Sequence, residues 1–580
     1  MSYRKPPGIG RYVVFGILGA AMIWAIAQHS LVAALALIDP SVARVLKPHD
    51  TVTLLALADH SVDQARQSQT IGDHRQTEVE RSRGAQESAS PAEASSHRDN
   101  PSTGGEPAER DYAEEQRRLA IEVLAQEPGN AHALAILGQV AHRAGQADAA
   151  AAFMRSGARR SLREPVAHAW LINEAVQQQD WPAAMRHADI LMRVHDGAIG
   201  PLTPFVAQLV ETSETFPVIQ DAVSSSPSWR RPVLGALLRS TSDARTPLKL
   251  MLALKGTAAP PTAAELHGYL SLLIERRYFD LAYYTWLQFL PPEALAATTP
   301  IFNGSFESRP SGLPFDWVLP ARGTATVEFA RRADRPSERA LFISFGHGRV
   351  ELGETTQMLR LRPGRHRINA HVMSEMEGRR GMKWRVTCVG DPQRRVIGES
   401  EMFVGHMKEW LPFSFAVTVP AAGCSAQVLR LGLDARTASE RLVSGTIWFD
   451  ELSVAREPSE GVSDSDARPL AKVEKIEGAV LANMGAGYQP ISEGGELKVD
   501  SSVIADRDAR AVVTYADGCT VSVQSGMIAW VDKPSPCALG AGLAGTQDPD
   551  PRLEAPKIFD TSWLVDGVRQ LRSRTPPAGP

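Results

Sequence analysis

The side chains able to do chemistry in this 580-residue chain are few and scattered. No Gly-x-Ser-x-Gly elbow, His-Glu-x-x-His helix, phosphate-binding Gly-x-x-x-x-Gly-Lys loop or Cys-x-x-Cys pair occurs in it. The fifteen histidines are dispersed, and none stands at a metal-ligating spacing. Gly540-Ala541-Gly542-Leu543-Ala544-Gly545 matches a dinucleotide fingerprint as a string. It follows Pro534 and Pro536 and precedes Asp548-Pro549, so the strand–turn–helix context that gives the string meaning is missing. Paired carboxylates of the glycosidase kind are set by fold rather than by spacing and leave no trace in a sequence. Four cysteines fall as two local pairs, Cys388 with Cys424 and Cys519 with Cys537. They fit two disulfides in an oxidising compartment, with four buried thiols as the alternative. The chain therefore reads as one that recognises rather than reacts, and no enzyme activity is expected.

The elements that must position any site are several, because 580 residues exceed one core. A net charge of −4 with scattered basic residues argues against a nucleic-acid partner. After residues 1–11, residues 12–38 are almost wholly apolar, long enough for one transmembrane helix. Arg4, Lys5 and Arg11 before it, against Arg44 and Lys47 after it, favour a cytoplasmic N-terminus and an exported remainder. A cleaved signal peptide is the rival reading. Residues 39–63 read as membrane-proximal helices broken at Pro48. Residues 64–110 are Ser-, Gln-, Glu- and Pro-rich with almost no large apolar residue, the composition of a disordered insertion.

Residues 111–300 return to helical periodicity. Leu137-Gly138 and Ala150 recur as Leu171-Ile172 and Ala184, thirty-four residues on, and Pro128-Gly129-Asn130 stands where a repeat loop closes. The pattern resembles a tetratricopeptide repeat array, which implies protein partners on a concave face. The second copy lacks the Gly and has Trp181-Pro182 in its turn. The aromatics Tyr278, Phe279, Tyr283, Tyr284 and Trp286 could pack a core or line a groove.

Residues 301–456 carry short apolar runs separated by Gly, Pro and Asp, the size and pattern of one antiparallel sandwich. The segment opens with Asn303-Gly304-Ser305-Phe306-Glu307 and closes with Trp448-Phe449-Asp450-Glu451-Leu452-Ser453-Val454. These brackets resemble the first and last strands of carbohydrate-binding modules and other galactose-binding-like jelly rolls. The resemblance implies two sites. A structural calcium would use Glu307 and Asp450, which are otherwise strand-end acids paired with arginine. A sugar would stack on Trp317, Trp384 or Trp410, with Trp317 the most core-like of the three. No other cofactor is expected.

A polar linker, 457–468, leads to residues 469–540, where Gly turns separate short strands. That stretch resembles FecR-like periplasmic domains, which implies sensing or interaction. Residues 541–580 read as a flexible tail. The fold class expected is multidomain α + β: a transmembrane helix, a helical repeat array, a jelly roll and a small β-domain. The leading functional expectation is a non-enzymatic, membrane-anchored periplasmic scaffold. Its helical repeats would contact envelope proteins of exopolysaccharide or capsule synthesis and export, and its jelly roll would contact glycan or protein. An envelope signal sensor and a tethered glycan-active enzyme are the alternatives.

Overall fold

The computed structural model describes residues 22, 30–60, 107–321, 323–346, 348–457, 469–539 and 550–553. Most of the predicted insertion, most of the predicted linker and most of the predicted tail lie outside these residues, as do residues 12–21 and 23–29 of the predicted membrane span; residues 107–110, counted in the insertion from sequence, instead open a helix. Among the described residues, no helix is long and apolar enough to cross a membrane. The architecture is mixed α + β, and the described residues fall into two compact units, one within 1–202 and one within 203–559.

The first unit is helical. Helices Ala131–Arg143 and Ala147–Arg160 form one pair, and Pro165–Gln177 and Trp181–Val194 form the next, each member starting thirty-four residues after its counterpart. Side chains fix the starts. Asn130 accepts from the Ala133 N–H and Asp180 from the Ala183 N–H, both at 3.0 Å. Trp181-Pro182 therefore opens a helix rather than filling a turn, and Pro is tolerated there because the first-turn N–H has no intrahelical partner. At Gly138 an added Cβ would sit 2.9 Å from the Met154 side chain, which would have to shift to admit a larger residue. Residues 51–60 form a helix whose Leu54 and Ala58 share a core with Leu119, Ala120 and Val123 of helix Pro107–Gln126. The helices on either side of the predicted insertion thus pack on each other, and His132 Nε2 lies 3.0 Å from Asp59 in the same cluster.

His168 and His187 face each other across the second pair, with their Nδ1 atoms 2.9 Å apart. One ring must donate and the other accept, so both cannot be charged. Burial pushes the His187 pKa down to about 4, with the neighbouring His168 and Arg186 adding to it, and burial lowers His168 as well. A folded pKa below the unfolded value means that the unfolded chain takes up protons first. The stability of this unit is therefore whole above about pH 6.5 and falls as pH drops toward 4. Because His187 is only half-buried, solvent screening holds the loss to about 1–2 kcal/mol. Urea titrations of helical circular dichroism at pH 7 and 4.5 should show it, and His187→Leu should flatten the dependence.

The second unit joins a helical segment to two β-domains. Its helices include Arg230–Leu237, Thr246–Leu254, Ala263–Glu275 and Phe279–Gln288. Thr262 and Glu265 close a capping box on the third of these. Glu265 also holds the buried Arg230 guanidinium at 2.9 Å. Residues 550–553, assigned to the flexible tail from sequence, pair instead with residues 242–244: Ala244 N–H donates to Pro551 O and Leu553 N–H to Ser242 O, both at 2.7 Å.

The segment expected to be a jelly roll has, among the described residues, nine strands: β1 Ala325–Arg331, β2 Arg339–Phe345, β3 Thr355–Leu359, β4 Gly364–Gly378, β5 Met382–Cys388, β6 Val396–Glu399, β7 Gly405–Val419, β8 Gln427–Leu433 and β9 Val443–Arg456. They form two antiparallel sheets, ordered β1-β2-β9-β4-β7 and β3-β8-β5-β6. Leu341, Ile343, Val372, Ile447 and Phe449 from the first sheet pack against Trp384, Val386, Leu429 and Leu431 from the second. The Asn303–Glu307 bracket is not a strand. Asn303 and Phe306 have φ of 52° and 57°, which break extension, and the segment is pinned by the Trp317 Nε1–H bond to Asn303 O at 3.0 Å. The Cys388–Cys424 disulfide ties β5 to the loop before β8.

The C-terminal β-domain has strands β10 Ala471–Glu477, β11 Val480–Asn483, β12 Tyr488–Pro490, β13 Glu496–Leu497, β14 Ser502–Ala505, β15 Arg510–Tyr515, β16 Thr520–Gln524 and β17 Ile528–Trp530. They make two four-stranded antiparallel sheets around one core that includes Val473, Val503, Val513 and Val523. The Cys519–Cys537 disulfide closes it.

Candidate functional site

The five-stranded sheet of the jelly roll has one face in the core and one toward solvent, so residue parity along each strand decides which side chains can meet a ligand. On β9, Ile447 and Phe449 point inward. Trp448 and Thr446 therefore point outward and are only half-buried. Register carries that row across the sheet: Glu328 opposes Phe342, Phe342 opposes Trp448 and Trp448 opposes Met373. Phe342 and Trp448 pack with ring centroids 4.2 Å apart. The next row is polar: Ser344, Thr446, Glu375 and His406. The result is a two-ring apolar platform with carboxylate, imidazole and hydroxyl groups along its edge.

Two irregularities flank the platform. Between Val372 and Ser374 the β7 partner moves from Leu411 to Met407, so residues 408–410 bulge out of the ladder. Between Asn369 and His371 the β9 partner moves from Ser453 to Asp450, and Glu451 there has φ of 55°. Bulges re-aim side chains. Here one presents Trp410, whose ring lies 4.2 Å from the Arg332 guanidinium carbon, and the other brings Glu451 to 3.1 Å from His371 Nδ1.

Arg332 sits beneath this end of the face and is 5% exposed. It donates to Asp450 Oδ2 at 2.6 Å and to both Asp334 oxygens at 3.1 and 2.6 Å. The guanidinium holds the Asp334 carboxyl down at about 2, and it is itself pushed further up, chiefly by Asp334 and then by Asp450. Burial pushes Asp450 up, partly offset by the Glu451 N–H and by Arg332.

The residues singled out from sequence are spread through this frame. Trp317 and Trp384 are 0% exposed, locked in the core with Phe306 and Phe449, so neither offers a face to a sugar ring. Trp384 faces inward with Met382 and Val386 on β5. Trp410 is at the surface of the site but has its ring against Arg332. The cation at Asp450 is the Arg332 guanidinium, and Glu307 accepts from the Arg339 N–H at 3.0 Å. Among the described residues, no group of three or more acidic, histidine or cysteine side chains is arranged to hold a metal ion. The sugar contacts expected from sequence leave out Trp448 and Phe342, although the inward Ile447 and Phe449 on either side of Trp448 point it outward.

No protein-family model matches the chain, and no curated protein matches it. Solved structures similar to part of it include a CBM4 structure, 15% identical, covering 27% of this chain and 99% of its own, with a TM-score of 0.21. A protein described as sugar-binding from Bacteroides thetaiotaomicron is 7% identical over 28% of this chain and 100% of its own, with a TM-score of 0.21. An arabinose-bound MgGH51 α-L-arabinofuranosidase is 12% identical over 27% of this chain and 26% of its own, with a TM-score of 0.20.

Proposed function

We propose that this chain is a non-catalytic glycan-recognition protein and that the solvent-facing side of the five-stranded sheet is its binding surface. The observation that carries the reading is the Phe342–Trp448 pair, two rings in contact at the middle of an exposed sheet face. The apolar face of a pyranose stacks on such rings, while its hydroxyls meet carboxylate and imidazole groups at the edge. Glu328, Glu375, His406 and His371 supply that edge. In this reading residues 12–38 tether the chain to a bacterial inner membrane, and the helical repeats hold protein partners of a polysaccharide-export system. The jelly roll then takes hold of the polymer.

The test is a glycan array, followed by calorimetry, on the full chain in detergent. Wild-type protein should retain at least one polysaccharide class. Trp448→Ala should weaken that binding by about thirtyfold, the scale of about 2 kcal/mol for a central aromatic anchor. Trp410→Ala should weaken it less, because that ring is already stacked. Retention of no glycan by the wild type, or equal binding by Trp448→Ala, rejects the proposal.

A further inference from the structure

A cavity lies away from the sheet face, where helix Phe279–Gln288, the jelly roll and the C-terminal β-domain meet inside the second unit. Its volume is about 200 Å³. Six aromatic residues line it: Tyr283, Trp286, Phe302, Phe315, Tyr488 and Trp530. Tyr283 stands roughly parallel to Trp286 and to Trp530, with centroids 5.6 and 6.3 Å away. Phe302 and Phe315 close on Trp286 from the jelly-roll side at 5.0 and 5.8 Å. Such a wall accepts a flat or chair-shaped ring.

Three arginines, Arg360, Arg362 and Arg456, line the cavity with one carboxylate, Asp500, which Arg456 already holds. The buried Arg360 spends its two terminal nitrogens on Ser425 O and Asp280, and Arg362 is paired with Asp532. Two N–H groups are left over. The Trp286 indole N–H and the Arg360 Nε–H are shut off from water, and among the described residues neither meets an acceptor. Trp286 is 1% exposed. Buried donors of this kind are costly unless something satisfies them. By contrast Trp530, on the same wall, gives its indole N–H to Asp280 Oδ1 at 2.9 Å.

We infer that this cavity is a second binding site, for a ring-bearing carboxylate of about monosaccharide size. The ring lies between the aromatic walls, and a small shift of the Trp286 and Arg360 side chains, whose N–H groups have no open surface as they stand, lets the carboxylate oxygens accept from them. Uronic acids and small aromatic acids share that chemistry. A ligand here would touch all three modules of the unit at once, so its occupancy would stiffen their junction.

The test is calorimetry and thermal melting of the full chain with glucuronate, galacturonate, benzoate and, as the uncharged comparison, glucose. At least one carboxylate should bind and raise the melting temperature, while glucose should not. Trp286→Phe keeps a six-membered aromatic ring but deletes the donor together with the five-membered ring, so it should weaken binding about tenfold and also lower the melting temperature of the unliganded protein. Trp448→Ala should bind the acid unchanged, which separates this site from the sheet face. Saturable binding of a uronate alone or of benzoate alone each supports the site and names its ligand. No binding of any acid, glucose binding as well as the acids, unchanged affinity in Trp286→Phe, or loss in Trp448→Ala overturns it.

Discussion

Arg332→Met should destabilise the jelly roll by about 3–5 kcal/mol at neutral pH, the usual cost of stranding one member of a buried ion pair. The variant keeps the length and much of the volume of the side chain but leaves the buried Asp450 carboxylate facing Trp410 and His371 with no cation. Asp334 loses its partner too, but its carboxylate is half in water and contributes little. The pH dependence of the cost is diagnostic. Burial already raises Asp450 above the ordinary aspartate value, and removing the guanidinium raises it further. A carboxyl whose folded pKa is raised takes up its proton in the folded state first, so folding gains on acidification. The gap between variant and wild type should therefore narrow between pH 7 and pH 4.5. Arg332→Met with Asp450→Asn should recover much of the loss at pH 7, because no buried charge remains. Urea unfolding at the two pH values checks both. A gap that stays constant or widens at low pH would show that the cost is lost packing under Trp410 and not the stranded charge.

How far a sequence reveals such a site depends on how local its causes are. Strand parity is local. Met382, Trp384 and Val386 alternate with Lys383 and Arg385, which already places Trp384 in the core, and Ile447, Trp448 and Phe449 place Trp448 outside by the same rule. By that rule the outward-facing ring is Trp448 and the core ring is Trp384. The thirty-four-residue helical period is also local, since it needs only small residues where two neighbouring helices touch, and the helix starts follow it. The Arg332–Asp450 pair is different. Its partners are 118 residues apart, and Arg332 is one of several arginines near β1 and β2 with nothing in its neighbourhood to mark it. The bulge that brings out Trp410 arises from a mismatch between β4 and β7, so it belongs to the pairing and to neither strand alone. The aromatic cavity likewise collects residues from 283 to 530, and only the fold brings them together.

Gly445→Ala tests the backbone beneath the platform. Gly445 lies on β9 opposite Phe345 on one side and Met376 on the other, three residues before Trp448. Its φ is 92°, a left-handed conformation that costs an L-residue about 1–2 kcal/mol. A Cβ there would also stand 1.9 Å from the Glu375 carbonyl oxygen and 3.0 Å from its carbon. That carbonyl belongs to β4, which is bonded on both sides, so it cannot retreat without opening the ladder. Strain and collision together should cost about 3–5 kcal/mol. Gly405 supplies the control. It opposes the same Met376 from β7 and has φ of 93°, yet a Cβ there meets nothing within 4 Å. Gly405→Ala should therefore cost only the conformational strain. Denaturant titration of the two variants separates the contributions, and the same pair should divide in glycan binding, with Gly445→Ala losing it as the Phe342–Trp448 contact is displaced and Gly405→Ala keeping it. Equal stability losses in the two variants would mean that β4 yields, and that the central strands of this sheet are softer than their pairing implies.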